Sequence, residues 1–431
     1  MQHITKANFF DSAKNGKIIL FFIAFAVFSL ITVLRRVDVL LHPQFWAEDG
    51  FIWYSDAYAS SNSLQPFLVP VQRYLQTLNR VGAYVSMFFD IKYAPLIFNI
   101  IAITVQIFPA MFFTSERFEQ VVSKYYQRFL LGIVYLTLPG AFETHANLTN
   151  GQWRLALLMF LIVIASTSKK IWWRIVDCVV LLLAGLSGPL VFFVFPLALF
   201  QSYLKSFKTS ISHLIVLAGA FLLQVYSFIF IVNPGALRST ATLGAGVSTF
   251  IKILAGKVLM TGTFGVRTYD VVMNWHMWQS GTLPVIIATL GICLTGYAFW
   301  RGTLELKLLM SLSILIFASM LVTPQVSDVQ PQWTVMLGAD AGNRYFLFPV
   351  LAWVIALIWL FVKAQNKFLK NTAGVLLVCM VLVGIPKDFF IMPYENYHFQ
   401  KQVIEFKKLS PGQKYTFLIN PAGWRMTLIR K

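Results

Sequence analysis

The residues best suited to chemistry follow the first apolar run, in Phe45-Trp46-Ala47-Glu48-Asp49-Gly50. Two adjacent carboxylates repel each other, and bordering aromatic rings withdraw them from water, so one of the pair can hold its proton above the usual range and serve as a general base. Asp49 and Glu48 are both candidates. Gly50 leaves room for an acceptor beside Asp49, which favours Asp49 as base and Glu48 as a positioning group. An acidic helix cap explains the same pair without catalysis, since Asp and Glu favour first helical turns. Adjacent carboxylates can also hold a divalent cation such as Mg or Mn, and the sequence leaves the metal open.

The elements that must position this segment are membrane helices. Of 431 residues, 58% are apolar and 12% charged, against roughly 45–50% and 25% in soluble domains, which excludes an ordinary soluble protein. Hydropathy predicts an all-α polytopic membrane protein with about eleven transmembrane helices, at 18–34, 93–113, 129–141, 152–166, 175–187, 189–204, 211–232, 284–300, 308–323, 344–362 and 372–386. Cys178, Cys293 and Cys379 all fall in apolar segments, without disulfide or zinc spacing.

The net charge of +18 would suggest nucleic acid in a soluble chain. Here the cations sort by membrane side instead, and no nucleic-acid partner is expected. With the N-terminus cytoplasmic, the inner segments hold Lys6, Lys14 and Lys17, then Arg117, Lys124 and Arg128, then Lys169, Lys170 and Arg174. The turn Ser187-Gly188-Pro189 and the loop 142–151 hold no Lys or Arg, as the positive-inside rule requires. Residues 1–386 form the membrane domain, with long outer segments at 35–92 and 233–282, and 387–431 form an outer tail. Ala47–Ala59 and Val69–Ser86 show helical spacing, Tyr415–Leu418 reads as a strand and 420–424 as a turn. Within the second outer segment, 247–266 has a helical pattern but contains Lys252 and Lys257, which leaves its entry into the membrane undecided.

An acidic pair in the first outer loop of a many-helix protein resembles the GT-C class of glycosyltransferases, which use polyprenyl-phosphate sugars. Leu186-Ser187-Gly188-Pro189-Leu190 and Gly342-Asn343-Arg344-Tyr345-Phe346 are similar to recurring marks of bacterial membrane glycosyltransferases that modify surface polysaccharide, the serotype-converting glucosyltransferases among them. The resemblance covers most of the chain in layout, but only the Glu48-Asp49 segment is close to a class signature. It implies a multi-pass enzyme of the bacterial inner membrane with its site facing the periplasm. Such an enzyme moves a sugar, glucose for example, from a polyprenyl-phosphate donor to an acceptor glycan such as the O-antigen of lipopolysaccharide, with inversion.

That chemistry needs a base for the acceptor hydroxyl and cations for the departing phosphate. Arg344, at the outer end of a span, is the first candidate for the phosphate, because a guanidinium binds it bidentately; Arg154 is the second. Both also fit snorkelling interfacial arginines. His145, between Glu143 and Asn147, is a candidate ligand for sugar hydroxyls, and Glu143 a candidate metal ligand. Trp275 and His276 are candidates for a sugar-stacking surface. A solvated loop for the first two and an interfacial aromatic belt for the others are the simpler explanations of these residues. There is no phosphate-loop motif, so no nucleotide site is expected.

Two other functions fit a chain of this kind. A lipid-linked oligosaccharide flippase or transporter should show inverted repeats and charges near mid-span, whereas no repeat is visible and the spans are almost free of ionisable residues. A surface-polysaccharide polymerase also accommodates large outer loops, but the acidic pair favours the transferase.

Overall fold

The structure, a computed structural model, describes residues 2–60, 63–205, 207–231 and 239–431; the start of the second outer segment, 233–238, lies outside them. The described chain is mostly helical, and eight of its helices are long and apolar enough to cross a membrane. Seven coincide with expected spans: Gly16–Arg35, Ile91–Thr114, Ser210–Phe230, Thr282–Arg301, Leu304–Val322, Asn343–Lys363 and Lys367–Phe389. The eighth, Val247–Phe264, falls in the segment that hydropathy left undecided.

The other four expected spans are helices too, but shorter: Tyr125–Leu136, Gly151–Ile164, Ile171–Gly185 and Val191–Lys205, of 12, 14, 15 and 15 residues. At about 1.5 Å per residue each falls short of a core about 30 Å thick. Punctuation bounds three of them, Tyr125–Leu136, Ile171–Gly185 and Val191–Lys205. Gly140, after Pro139, has φ +74°, and Gly188, before Pro189, has φ +110°, and neither backbone can continue a helix. Gly151–Ile164 sits at the centre of the bundle, with twelve of its fourteen residues buried. The spans are also less free of charge than expected: buried Asp177 in Ile171–Gly185 meets Arg117 at 2.6 Å and His213 at 3.3 Å.

The Arg35 carbonyl accepts from Ile391 N at 2.9 Å, so the first helix and the last apolar helix end on the same side. The loop 324–343 shares that side, because Asn343–Lys363 and Lys367–Phe389 form a hairpin. Val247–Phe264 is tied to it at both ends. Thr242 and Leu243 accept from Gln332 N and Trp333 N before it, and Val266 N donates to Asp388 after it, so this segment enters and leaves on one side.

On that same side the first loop folds against the Leu186-Ser187-Gly188 turn. Thr77 N donates to Leu186 O, Gly188 N to Leu75 O and Leu78 N to the Ser187 hydroxyl, while Gln224 of Ser210–Phe230 ties Leu75, Gly185 and Gly188 together. A Cβ on Gly188 would lie 1.9 Å from the Gln152 amide oxygen. Of the expected interfacial helices, Asp49–Tyr54 forms a π-helical turn that continues into Ser55–Ala59, and Thr77–Ser86 is helical. Val69–Gln76 is instead a tight reversal at Gln72-Arg73, both at positive φ.

The tail adds a helix, Phe399–Lys408, and the only β-ladder among the described residues, β1 (Lys414–Leu418) antiparallel to β2 (Arg425–Ile429). The all-α expectation therefore needs this amendment: alternation buries Phe417, Met426 and Leu428 on the side where Phe399 and Phe406 are also buried, leaving Lys414, Thr416, Leu418, Arg425, Thr427 and Ile429 exposed on the other face.

Candidate functional site

The Phe45–Gly50 turn is built by two distant pieces of chain. Asn420 of the tail donates from its backbone N to Phe45 O at 3.1 Å and accepts from Ala47 N at 2.5 Å. Between these bonds Ala47 sits at φ +43°, a conformation disfavoured for any residue with a Cβ. Glu48 and Asp49 follow, and their side chains meet different surroundings. Asp49 is buried; its Oδ2 accepts from Leu148 N at 3.2 Å, and its Oδ1 has no partner. Burial pushes the Asp49 carboxyl well above the usual carboxylate range, the Leu148 hydrogen bond pulls it partly back, and the Glu48 charge raises it again. Glu48 is half-buried and its Oε2 accepts a long bond, 3.4 Å, from the Thr149 hydroxyl. Of the pair, Glu48 has the surface on which to meet a substrate.

Beside this turn opens a cleft of about 370 Å³. Trp46 lines it, stacked on Tyr394 with ring centres 4.9 Å apart, and so does Asn147, two residues before Thr149. Glu48 and Asp49 are not among its lining residues; they follow Trp46 by two and three positions. Its charged lining consists of Arg35, Arg36 and Arg267 with Glu143, Asp270, Asp340 and Asp388. Several of these are committed to the fold. Arg35 donates to the carbonyls of Leu136, Asp388 and Phe389, and Asp388 accepts from Gly140 N and Val266 N at 3.0 and 2.8 Å.

Arg36, Arg267, Asp270 and Asp340 have fewer such ties. Arg36, itself buried, lies 3.5 Å from the Tyr394 ring centre and donates to Met392 O, and its Nε faces Asp38 at 3.9 Å without a hydrogen bond. Arg267 donates to Phe390 O. Two guanidinium groups 231 positions apart in sequence thus meet one strap, 390–392, at carbonyls two residues apart. Asp270 and Asp340 are exposed.

No family model, curated protein or solved structure matches the chain. The site must be read from its own geometry.

The structure brings only some of the expected site residues to this cleft. Arg344 is occupied: its guanidinium pairs with Glu143, whose other oxygen accepts Arg344 N at 2.8 Å, and it donates to Gln325 O at 2.7 Å. It joins the loop 324–343 to the loop 142–151. Arg154 is 1% exposed, donates to the Thr144 hydroxyl at 2.9 Å and lies 5.1 Å from the Tyr135 ring centre. That burial keeps it from a lipid headgroup, correcting the expectation of a boundary arginine. His145 is fully buried, with Nδ1 on the Gln106 amide at 2.9 Å, and so has no surface for a sugar. Burial, helped by the charges of Arg35, Arg36 and Arg154, holds its pKa well below the usual value and keeps it neutral.

Trp275 and His276 are exposed and do not line the cleft, whereas their neighbour Trp278 is buried against Tyr269. Among the described residues no three His, Cys, Asp or Glu side chains gather as metal ligands would.

Sequence reasoning missed Arg36 and Tyr394, left Arg267 unranked beside Arg73, Arg80 and Arg238, and noted Lys257 without giving it a role. Lys257 is fully buried and donates to the carbonyls of Gly338, Ala339 and Ala341 at 2.8–3.0 Å, fixing the loop that leads into Arg344. A lysine inside an apolar helix is a signal in itself, since it must find oxygen partners.

Proposed function

We propose that this chain is an integral membrane glycosyltransferase of GT-C type. In this reading it transfers a sugar from a polyprenyl-phosphate donor to a glycan on the outer face of a bacterial inner membrane. The observation that carries the reading is the cleft: it combines partly free arginines, exposed carboxylates and a Trp46–Tyr394 wall, and it adjoins the turn bearing Glu48 and Asp49.

Each part has a use in that chemistry. Arg36 and Arg267, held at the strap 390–392, take the donor phosphate in place of Arg344 and Arg154, and as charge-assisted donors they stabilise the anion that develops on it. The Trp46 face packs on a sugar ring, and Asp270 and Asp340 accept from its hydroxyls. Glu48 takes the proton of the acceptor hydroxyl as that oxygen bonds to the anomeric carbon from the side opposite the phosphate. The carbon–phosphate oxygen bond breaks, its electron pair leaves with the lipid phosphate, and the configuration inverts. Asp49, buried against Leu148, holds the loop 147–149 in place rather than meeting the acceptor.

The test is incubation of the purified protein with polyprenyl-phosphate glucose, and separately with other polyprenyl-phosphate sugars, in the presence of a surface polysaccharide. Sugar transfer that depends on the lipid donor is expected. Movement of lipid-linked glycan across vesicles without any transfer would replace this reading with the flippase.

A further inference from the structure

The turn carrying Glu48 and Asp49 is not shaped by the first loop alone, and this bears on what the tail is for. Ala47 is held at positive φ between two hydrogen bonds to one tail residue, Asn420. Apolar contacts reinforce them. Ile419 Cδ1 and Phe45 Cβ would each lie 3.1 Å from a Cβ on Gly50, Phe51 meets Trp424 edge to face at 5.7 Å, and Phe45 meets Phe399 at 5.4 Å. Asn420 is itself locked from a third direction. Its Nδ2 donates to Glu395 O at 2.9 Å and its Oδ1 accepts from Glu395 N at 3.0 Å, joining it to the strap that continues from the arginine-bearing carbonyls. Asn420, Pro421 and Ala422 also line the cleft.

We propose that Asn420 is a positioning residue, and that the C-terminal hairpin is the clamp that sets the carboxylate turn against the cleft. This rests on the transferase reading for the use made of Glu48, but the clamp is a physical claim of its own. A backbone conformation with a steric penalty persists only where its surroundings over-determine it. Here two of the determinants are a single residue's N–H and C=O. Freed from Asn420, Ala47 relaxes toward negative φ and the two side chains after it swing away. A misplacement of about 1 Å in a reacting group costs on the order of a hundred-fold in rate. The tail is therefore needed for turnover, although it contributes no reacting atom.

The experiment compares Asn420→Ala, which keeps the backbone N–H and C=O but loses both side-chain bonds to Glu395 that hold them in place, with Asn420→Asp, which keeps the acceptor for Glu395 N. Lys407→Met serves as a control, removing an exposed tail contact with Asp90 that involves no residue of 45–54. Hydrogen exchange of the peptide covering 45–54 is measured with kcat and the KM for lipid donor. Asn420→Ala should speed exchange in that peptide and lower kcat about ten- to a hundred-fold with the donor KM within about two-fold. Asn420→Asp should recover part of both, and Lys407→Met should change neither.

Native exchange and native kcat in Asn420→Ala would overturn the clamp, as would a fall confined to donor KM. If the wild-type protein transfers no sugar, the exchange measurement still decides the clamp, while the transferase reading falls by itself.

Discussion

Arg344 stood out in the sequence as a phosphate ligand, yet its guanidinium and its backbone N both bond to Glu143, so its first role is to hold two loops together. The perturbation that separates these roles is the pair Glu143→Gln and Arg344→Gln, singly and combined. Charge-assisted hydrogen bonds contribute about 1.5–3 kcal/mol each, and breaking a fully buried pair costs about 3–5 kcal/mol. The Arg344 side chain is 27% exposed and that of Glu143 13%, so solvent screening places either single substitution nearer about 2–3 kcal/mol. That is a shift of roughly 30- to 150-fold in the folding equilibrium.

The double substitution removes both charges and leaves no orphan, so the coupling should be about 1–2 kcal/mol in its favour. The assay is reversible denaturant unfolding of the detergent-solubilised protein across this double-mutant cycle. Effects that add to within about 0.5 kcal/mol would show the two residues uncoupled. In that case a loss of donor affinity in Arg344→Gln with native stability would return the phosphate to Arg344.

Other outcomes follow from the same contacts. Folded Asp49 holds its proton more tightly than the unfolded chain does, so the stability it contributes is fully present below the unfolded carboxyl value of about 3.9 and is lost as pH rises through the raised folded value. Asp49→Asn cannot ionise, and its melting temperature should therefore fall less than that of the wild type between about pH 5 and about pH 8, with equal slopes refuting the assignment. Gly188→Ala places a Cβ on the Gln152 amide at φ +110°, and should cost about 1–3 kcal/mol of stability, measured by the same unfolding assay; no change would mean that the turn does not hold the first loop. A cysteine at Ser410, in a chain lacking Cys178, Cys293 and Cys379, should react with an impermeant thiol reagent applied from outside, and labelling only after permeabilisation would reverse the orientation.

The long helices were legible because each is a continuous apolar run long enough to cross a bilayer, as in 18–34 and 344–362. The shortness of Tyr125–Leu136 and Ile171–Gly185 was less so, since hydropathy sums side chains while helix length is set by backbone breaks such as Gly140 and Gly188. Val247–Phe264 has the composition of a span, but its ends are fixed by long-range hydrogen bonds to 332–333 and 388, which no local pattern records.

The Glu48-Asp49 segment was visible from residue types alone. Which of the two is buried depends on Leu148, a hundred positions away. Arg36 read only as the end of an apolar run and Arg267 had nothing to rank it, because the strap 390–392 that gathers them comes from the far end of the chain. The tail hairpin showed as a strand and a turn, but its grip on Ala47 is a tertiary contact between residues some 370 positions apart.

The central claim is that Glu48 takes the acceptor's proton in a sugar transfer from lipid phosphate. It is tested most directly by the turnover of Glu48→Gln at saturating donor and acceptor, with membrane insertion and unfolding checked in parallel. A general base contributes about 10²–10⁴-fold, so the amide should lower kcat by that order while leaving the donor KM and the fold near native. Near-native turnover in Glu48→Gln, with transfer from the lipid donor intact, would contradict the account.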